Sequence, residues 1–439
     1  MAFLILGNVL LSYGMETAFF RFINKHESQR ALVQSTALTS LTITTAVFLS
    51  ISLLFNEQLA AFLDFNIQYI TYGLLILALD ALAVLPFVWF RANEQPKKYA
   101  IIKIFNVLVN LGLNLFFFLM LPGLADAHPD SFWEQINLTE GRVAYVFIAN
   151  VIASAITLLV LLPLYLKIGF GFSKAIWRGM IRYALPVLIA GIAFSINEAF
   201  DKILLKYLLP ADIAEAEVGI YAACYKLGVF MTLFATAFRL GIEPFFFNHA
   251  KHDNAAQTYA KITKYFTIFG SGILLFVIVY IDLFKRILIP DPEFWDALVI
   301  VPIILLANLC LGIYHNLSVW YKITDKTKFG AYISVVGAII TLVLNFVLIP
   351  LISYLGSAIA TLAAYGGMMI ISYVIGQRNY AVPYDLKRIG GYLIMAIGFS
   401  SLSFYVFDGN LILGTVLLLV FLSWIVIAEK SELKRILKK

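Results

Sequence analysis

The sequence predicts an all-α polytopic membrane protein, with thirteen transmembrane helices arranged as two parallel six-helix lobes and two further C-terminal helices. Three observations predict it. Hydrophobic residues make up 62% of the 439 and charged residues only 13%, where soluble chains lie near half apolar and a quarter charged. The apolar residues fall into runs of about 20, the length that crosses a hydrocarbon core of about 30 Å. The loops between those runs alternate in charge. Alternating strand patterns are absent, so a β-barrel is not expected.

The expected spans are 2–21, 34–55, 68–90, 99–121, 143–166, 182–206, 217–239, 262–282, 297–320, 329–349, 354–375, 389–407 and 411–428. The stretch Val143–Leu166 is typical, with 24 residues and no charge. Loops 21–33, 91–98, 167–182, 239–264, 322–328, 378–388 and the tail 429–439 hold 25 of the 32 Lys and Arg but 8 of the 26 acids. Loops 56–67, 122–142, 206–217, 283–296, 350–353 and 408–410 hold four basic residues and thirteen acids. Basic loops stay on the cytoplasmic side, so the C-terminus with Lys430, Lys434, Arg435, Lys438 and Lys439 is expected in the cytoplasm of a cell inner membrane. An odd number of spans would put Met1 outside. A lost upstream helix, fourteen in all, is the favoured expectation over a genuine outside start.

An internal repeat points the same way. Gly14–Phe20 (GMETAFF) returns as Gly241–Phe247 (GIEPFFF), each closing a span at a basic loop. Arg91 to Asn114 aligns without gaps on Lys322 to Asn345, each opening a span in the same direction. Parallel repeats are a common transporter construction. They divide the chain into an N-lobe at 1–166, a C-lobe at 182–375, two extra helices at 389–428 and a basic tail at 429–439. Span 182–206 then needs a partner upstream of Met1.

Enzyme signatures are missing. No P-loop, GxSxG, HExxH or Rossmann glycine pattern occurs, and the longest loops are too short to fold alone. Cys224 and Cys310 fall inside separate spans, so neither a disulfide framework nor a metal site is expected. The pI near 9.0 comes from the basic loops and reports topology, not nucleic-acid binding.

Charged side chains inside a membrane cost about 2.5–3.5 kcal/mol each on insertion scales and mark function by default. Span 182–206 is the richest. Asn197 and Asp201 share one face; Glu198 and Lys202 share the neighbouring face in the favourable order. Lys226 in the next span is placed to meet Glu198 or Asp201. This set is read as a polar cavity wall, against a self-neutralising structural cluster. Glu16 with Arg21, and Glu243 with Arg239, form matched sets at the ends of the repeated spans, read as a gate or as helix-end structure. Lys103, Asn106, Asn110 and Asn114 make a polar stripe on span 99–121 that Asp80 could join.

These features resemble the polysaccharide-exporting and lipid II-flipping branches of the multidrug/oligosaccharidyl-lipid/polysaccharide (MOP) exporter superfamily. The resemblance rests on the helix plan, on Val218–Lys226 (VGIYAACYK) followed by Phe238–Phe247 (FRLGIEPFFF), and on Asn316–Thr327 (NLSVWYKITDKT) followed by Thr341–Pro350. It covers nearly the whole chain, and the absent first helix departs from it. It implies a monomeric, cofactor-free flippase, not an enzyme. The flippase moves a polyprenyl-diphosphate-linked oligosaccharide to the periplasmic leaflet by alternating access, for polysaccharide or lipopolysaccharide biosynthesis beside a glycan polymerase or other assembly machinery. A diphosphate needs cations, for which Lys202, Lys226, Arg21 and Arg239 are the candidates. By resemblance to the lipid II flippase, a coupling Na⁺ site would use Asp201, Asn345 and Thr361; H⁺ is the other coupling ion considered. The alternatives are a cation-coupled multidrug exporter of the same superfamily and a membrane glycan polymerase or ligase. The mixed intramembrane charge disfavours the first, and the modest outside loops disfavour the second.

Overall fold

The computed structural model describes residues 2–25, 27–93, 95–138, 141–249, 254–324, 326–430 and 432; at 2, 24, 25, 27, 240, 243, 244 and 247–249 it describes the backbone alone. The described residues form helices joined by turns and loops, without strands. Among the described residues, twelve helices are long and apolar enough to cross a membrane. We label them α1 Phe3–Ile23, α2 Arg30–Leu54, α3 Ile67–Ala92, α4 Pro96–Ala127, α5 Val143–Ile168, α6 Lys174–Leu208, α7 Ala211–Arg239, α8 Ala255–Val279, α9 Pro292–Ile323, α10 Lys328–Asn379, α11 Leu386–Val406 and α12 Leu411–Ala428.

The difference from thirteen expected spans has a local cause. Helix α10 runs for 52 residues and joins the spans expected at 329–349 and 354–375. Its backbone leaves the helical region at Ile352 and at Ser353, where φ is 49°. A serine in this left-handed conformation is strained, and its hydroxyl donates to the Glu217 carboxylate. Pro350, two residues before Ile352, removes one backbone donor. Helix α1 is also broken, at Tyr13 (φ 35°) and Gly14 (φ 70°). A Cβ on Gly14 would stand 2.6 Å from the Ala184 carbonyl oxygen, so both conformation and space demand glycine there.

The contacts divide the chain into two compact units, Phe3–Ile192 and Ala193–Lys439, with the division inside α6. In unit 1, α3 packs on α2 and α5, and α5 also carries α4. In unit 2, α9 packs along α10, α8 and α7, while α8 also carries α11 and α12. Each unit has its own apolar core: Phe19, Leu38, Leu41 and Val88 belong to the first, Tyr221, Phe266, Leu305 and Phe421 to the second.

The repeat extends beyond the motifs visible in sequence. Helices α2 and α8 each end at an aromatic residue with nearly the same backbone angles, Phe55 (φ −107°, ψ 22°) and Tyr280 (φ −101°, ψ 22°). A short helix follows each, Asn56–Leu63 and Ile281–Leu288. Both expose apolar residues, Phe62 and Ile287 among them, as expected of helices lying in a membrane interface. The paired asparagines also act alike. Asn114 donates to the Asn110 carbonyl at 2.8 Å, and Asn345 donates to the Thr341 carbonyl at 2.7 Å.

Candidate functional site

Polar chemistry gathers in three places within the two units. In unit 2, buried hydrogen bonds gather between α6, α7 and α10. Asp201 and Asn197 lie four residues apart on one face of α6, as expected from spacing, and both are buried. Tyr221 on α7 donates to Asp201 Oδ2 at 2.7 Å, and its hydroxyl lies near Thr361. Thr361 donates to the Ser357 carbonyl at 3.0 Å, and the Ser357 hydroxyl donates to Asn345 Oδ1 at 2.6 Å. Thr341 donates to Asn197 Oδ1 at 2.8 Å, and the Tyr365 hydroxyl donates to the Asn197 carbonyl at 3.1 Å. Asp201, Asn345 and Thr361 therefore belong to one buried set. The Asp201 and Asn345 side-chain oxygens already accept protein donors. Burying polar groups in this way is tolerable because nearly every one is partnered.

Lys202 departs from its expected pairing. Its ammonium lies 3.1 Å from both Asp201 oxygens and 4.0 Å from the centre of the Tyr225 ring. The carboxylate it binds is the adjacent one, not that of Glu198. The half-buried ammonium thus neutralises Asp201 and rests on an aromatic face. Lys226 does not meet Glu198 or Asp201: it begins the short turn Lys226–Gly228, is exposed, and forms no ion pair among the described residues. The turn interrupts α7 and changes its register, so helical spacing alone misplaces this side chain.

The second place is a cavity of about 250 Å³ in the same unit, lined by Glu198, Thr232, Thr236, Arg239, Asn308 and His315 among others. Glu198 has the Tyr365 hydroxyl, Lys202 and Arg239 as its polar neighbours. Sequence reasoning placed Glu198 and Arg239 in a cavity but did not bring them together. It passed over His315, a lone histidine in an apolar span. The side chain of Glu243, the expected partner of Arg239, lies outside the described residues.

The third place is a cavity of about 390 Å³ in unit 1, lined by Asn8, Glu16, Asp80, Arg91, Lys103 and Asn106, with Ser154 and Thr157. Here the expected Glu16–Arg21 set gives way to another pair. Glu16 binds Arg91 at 2.9 Å, whereas Arg21 lies over the Tyr183 ring at 4.4 Å. Residues 16 and 21 are five apart, beyond the three or four at which helix side chains meet, so each finds a partner on another helix. Asp80 accepts from Ser154 at 2.8 Å, and Asn106 donates to Thr157 at 2.9 Å. Lys103 is near Asp80 in this cavity, but its ammonium stands over the Phe87 ring at 4.4 Å. The face of α10 that corresponds to Lys103, Asn106 and Asn110 is covered by Asn197; the α4 face instead borders the cavity, and no residue of Pro96–Leu115 is buried. Among the described residues no cluster of His, Cys, Asp and Glu could hold a metal ion, and both cysteines are buried and free.

Long apolar helices that enclose polar cavities are the construction that a path across a membrane requires. Residues 1–246 match the model of the family described as polysaccharide biosynthesis protein, and residues 186–347 match that of MatE. The chain belongs to the polysaccharide biosynthesis protein family. Its fold is that of the MOP superfamily. It is similar to the lipid II flippase MurJ in an inward closed conformation, at TM-score 0.67 and 12% identity over 98% of this chain and 93% of that one. It is also similar to a multidrug resistance MATE family transporter in an inward-facing conformation, at TM-score 0.65 and 12% identity over 89% and 88%. A mutant of the Vibrio cholerae MATE transporter VcmN matches at TM-score 0.61 and 14% identity over 86% of each chain. Comparison with curated proteins finds no match by sequence.

Proposed function

We propose that this MOP-superfamily transporter is a flippase for a polyprenyl-diphosphate-linked oligosaccharide. It would carry the glycan from the cytoplasmic to the periplasmic leaflet of the inner membrane for polysaccharide or lipopolysaccharide assembly. The observation that carries the reading is the family match over residues 1–246. The charge in the cavities supports it. Arg239 on one wall of the unit 2 cavity, and Arg91 with Lys103 in unit 1, offer cations to a diphosphate, and guanidinium is the group best shaped for one. Asn8, Asn106, Ser154 and Thr157 suit sugar hydroxyls. The lipid tail needs no pocket, because the bilayer solvates it.

Coupling to Na⁺ or H⁺ would use Asp201, with Asn345 and Thr361 in the same hydrogen-bonded set. Lys202 occupies the carboxylate in the present arrangement. An anionic cargo that drew Lys202 away would free Asp201 for a cation, so the two ligands would favour one another. The protein would work as a monomer with its C-terminus in the cytoplasm, beside a glycan polymerase or related machinery. The MatE match favours a second reading, cation-coupled export of small molecules.

Deleting the gene in a strain without a related flippase and following lipid-linked glycan by leaflet tests the proposal. Glycan trapped on the cytoplasmic leaflet, rescued by the wild-type chain and not by Arg239→Ala, is the expected result. Unchanged glycan export with new sensitivity to cationic drugs would replace it with the second reading.

A further inference from the structure

An apolar groove of about 380 Å³ runs between α8 and α12 in unit 2. Phe269, Gly272 and Phe276 line it from α8, and Leu418, Leu422 and Ile425 from α12. Phe269, Phe276 and Leu422 are each exposed by 45% or more, so the groove opens outward, toward lipid in a membrane. Gly272 deepens its floor: a Cβ there would meet nothing closer than the Phe421 ring, at 3.9 Å. From Tyr265 to Phe276 the groove follows α8 for about three turns, or about 17 Å. A hydrocarbon core measures about 30 Å, so the groove has the depth of one leaflet.

One end of the groove is polar. Tyr265 and Glu429 line it there, on the side of the basic loops. Glu429 is fully engaged by Lys264, Arg388 and Tyr392. Glu432, one turn further on, is not. Its two side-chain hydrogen bonds, from Lys264 at 3.2 Å and from Tyr265, both arrive at Oε2. Its Oε1 has no partner among the described residues, and the side chain is 26% exposed. Lys261 stands four residues before Tyr265, on the groove face of α8. It is exposed and close enough to Glu432 to act on its charge, yet too far to form an ion pair with it. The mouth of the groove therefore offers a cation and a carboxylate oxygen with a gap between them.

We propose that this groove holds one phospholipid with a primary ammonium in its headgroup, such as phosphatidylethanolamine, from the leaflet at the basic loops. One acyl chain lies along Gly272 between α8 and α12. The phosphate meets Lys261, and the ammonium donates to Glu432 Oε1. Both contacts are charge-assisted. A headgroup with a phosphate and no cation would set its charge against the Glu432 carboxylate. A choline headgroup carries the cation but has no N–H to donate. The lipid adds a bond to the carboxylate that already ties Lys264 and Tyr265 to the end of α12. Its binding therefore favours the state in which α12 is docked on α8. The inference is independent of which cargo is carried.

The test adds phospholipids of identical acyl chains, one at a time, to the full chain in detergent. Binding is read by native mass spectrometry and by thermal unfolding. Phosphatidylethanolamine should bind as a single molecule, at least about tenfold tighter than phosphatidylglycerol or phosphatidylcholine, and should raise the unfolding temperature. Glu432→Gln should erase that preference. Lys261→Ala, an exposed change, and Gly272→Leu, which fills the floor away from the ion cluster, should each weaken all three lipids. Equal binding of the three lipids to the wild type, or a preference that survives Glu432→Gln, would overturn the headgroup assignment. Binding unchanged in Gly272→Leu would overturn the groove. Displacement of the phospholipid by a lower concentration of polyprenyl phosphate would give the groove to the cargo's tail instead. Glycan export is read separately, so the flippase reading stands or falls on its own.

Discussion

Asp201 shows how one residue decides the character of the unit 2 interior. Its carboxylate accepts from Tyr221 and holds Lys202, so each charge makes the other tolerable. Removing one member of such a pair costs more than removing both, because the survivor is left uncompensated. Asp201→Asn keeps the acceptor for Tyr221 and strands the ammonium, which should lower stability by about 2 kcal/mol or more. The Asp201→Asn, Lys202→Met double variant should recover at least half of that loss in thermal unfolding in detergent. Equal destabilisation of single and double variants would show that the pair is not coupled. Some of this was legible in sequence: Asn197 and Asp201 face the same way because helical spacing is local. The Lys202 partner and the Glu16 partner were not, since long side chains choose among carboxylates that only tertiary packing brings near.

At the scale of elements, the repeats hold equivalent segments in different shapes. Gly14 breaks α1 with φ at 70°, while its counterpart Gly241 continues a helix that runs to His249, with no atom of the described residues within 4 Å of where its Cβ would stand. Gly14→Ala should therefore destabilise by more than about 1 kcal/mol, and Gly241→Ala should be neutral or stabilise by about 0.4–1 kcal/mol. Chemical denaturation of the two variants reads the difference; similar losses would mean that α1 and α7 share one conformation. Motif comparison found the two glycines but could not show that one of them bends, because the bend depends on the approach of Ala184. A second element-scale feature escaped the sequence entirely. Lys264 on α8 binds Glu429 at 2.6 Å and Glu432 at 3.2 Å, and Arg388 on α11 binds Glu429 at 3.2 Å. The cluster fastens α11 and the end of α12 to α8. Burial alone would raise the Glu429 carboxyl, but hydrogen bonds from Lys264 and Tyr392 outweigh it and hold it below its ordinary value. Glu432 is lowered by its hydrogen bond from Tyr265, against burial, with Lys264 adding to the effect. Both carboxyls thus bind protons less readily folded than unfolded. Their contribution is complete above the unfolded value of about 4.5 and is lost as pH falls through the lower folded values. Amide protection in α11 and α12, measured relative to the unstructured exchange rate at each pH, should fall below about pH 4.5 and be steady between pH 5 and 8. Glu429→Gln should exchange faster across the whole range. A wild-type profile flat to low pH would remove the carboxylates from the fastening.

For the whole molecule, the orientation in the membrane follows from charge that no single loop could establish. The positive-inside rule counts Lys and Arg in short loops near span ends, and here every loop of one set is basic while the other set carries the excess of acids. The thirteen apolar runs were readable because membrane burial imposes length and composition on a helix whatever it packs against. The break at Ile352 and Ser353 even preserves two spans inside one long helix. The cavities were not readable in full, because Glu198, Arg239 and His315 come from three helices at unrelated spacings. The charge argument itself has a direct check. With Cys224 and Cys310 replaced by Ser, single cysteines at Lys326 and at Asp291 place one thiol in each set of loops. In intact cells an impermeant maleimide should label Asp291→Cys and leave Lys326→Cys unlabelled until the membrane is opened. The reverse pattern would turn the protein over. Labelling at both positions would break the alternation of the loops, and with it the pairing of equivalent spans that the two glycine motifs and the two asparagines define.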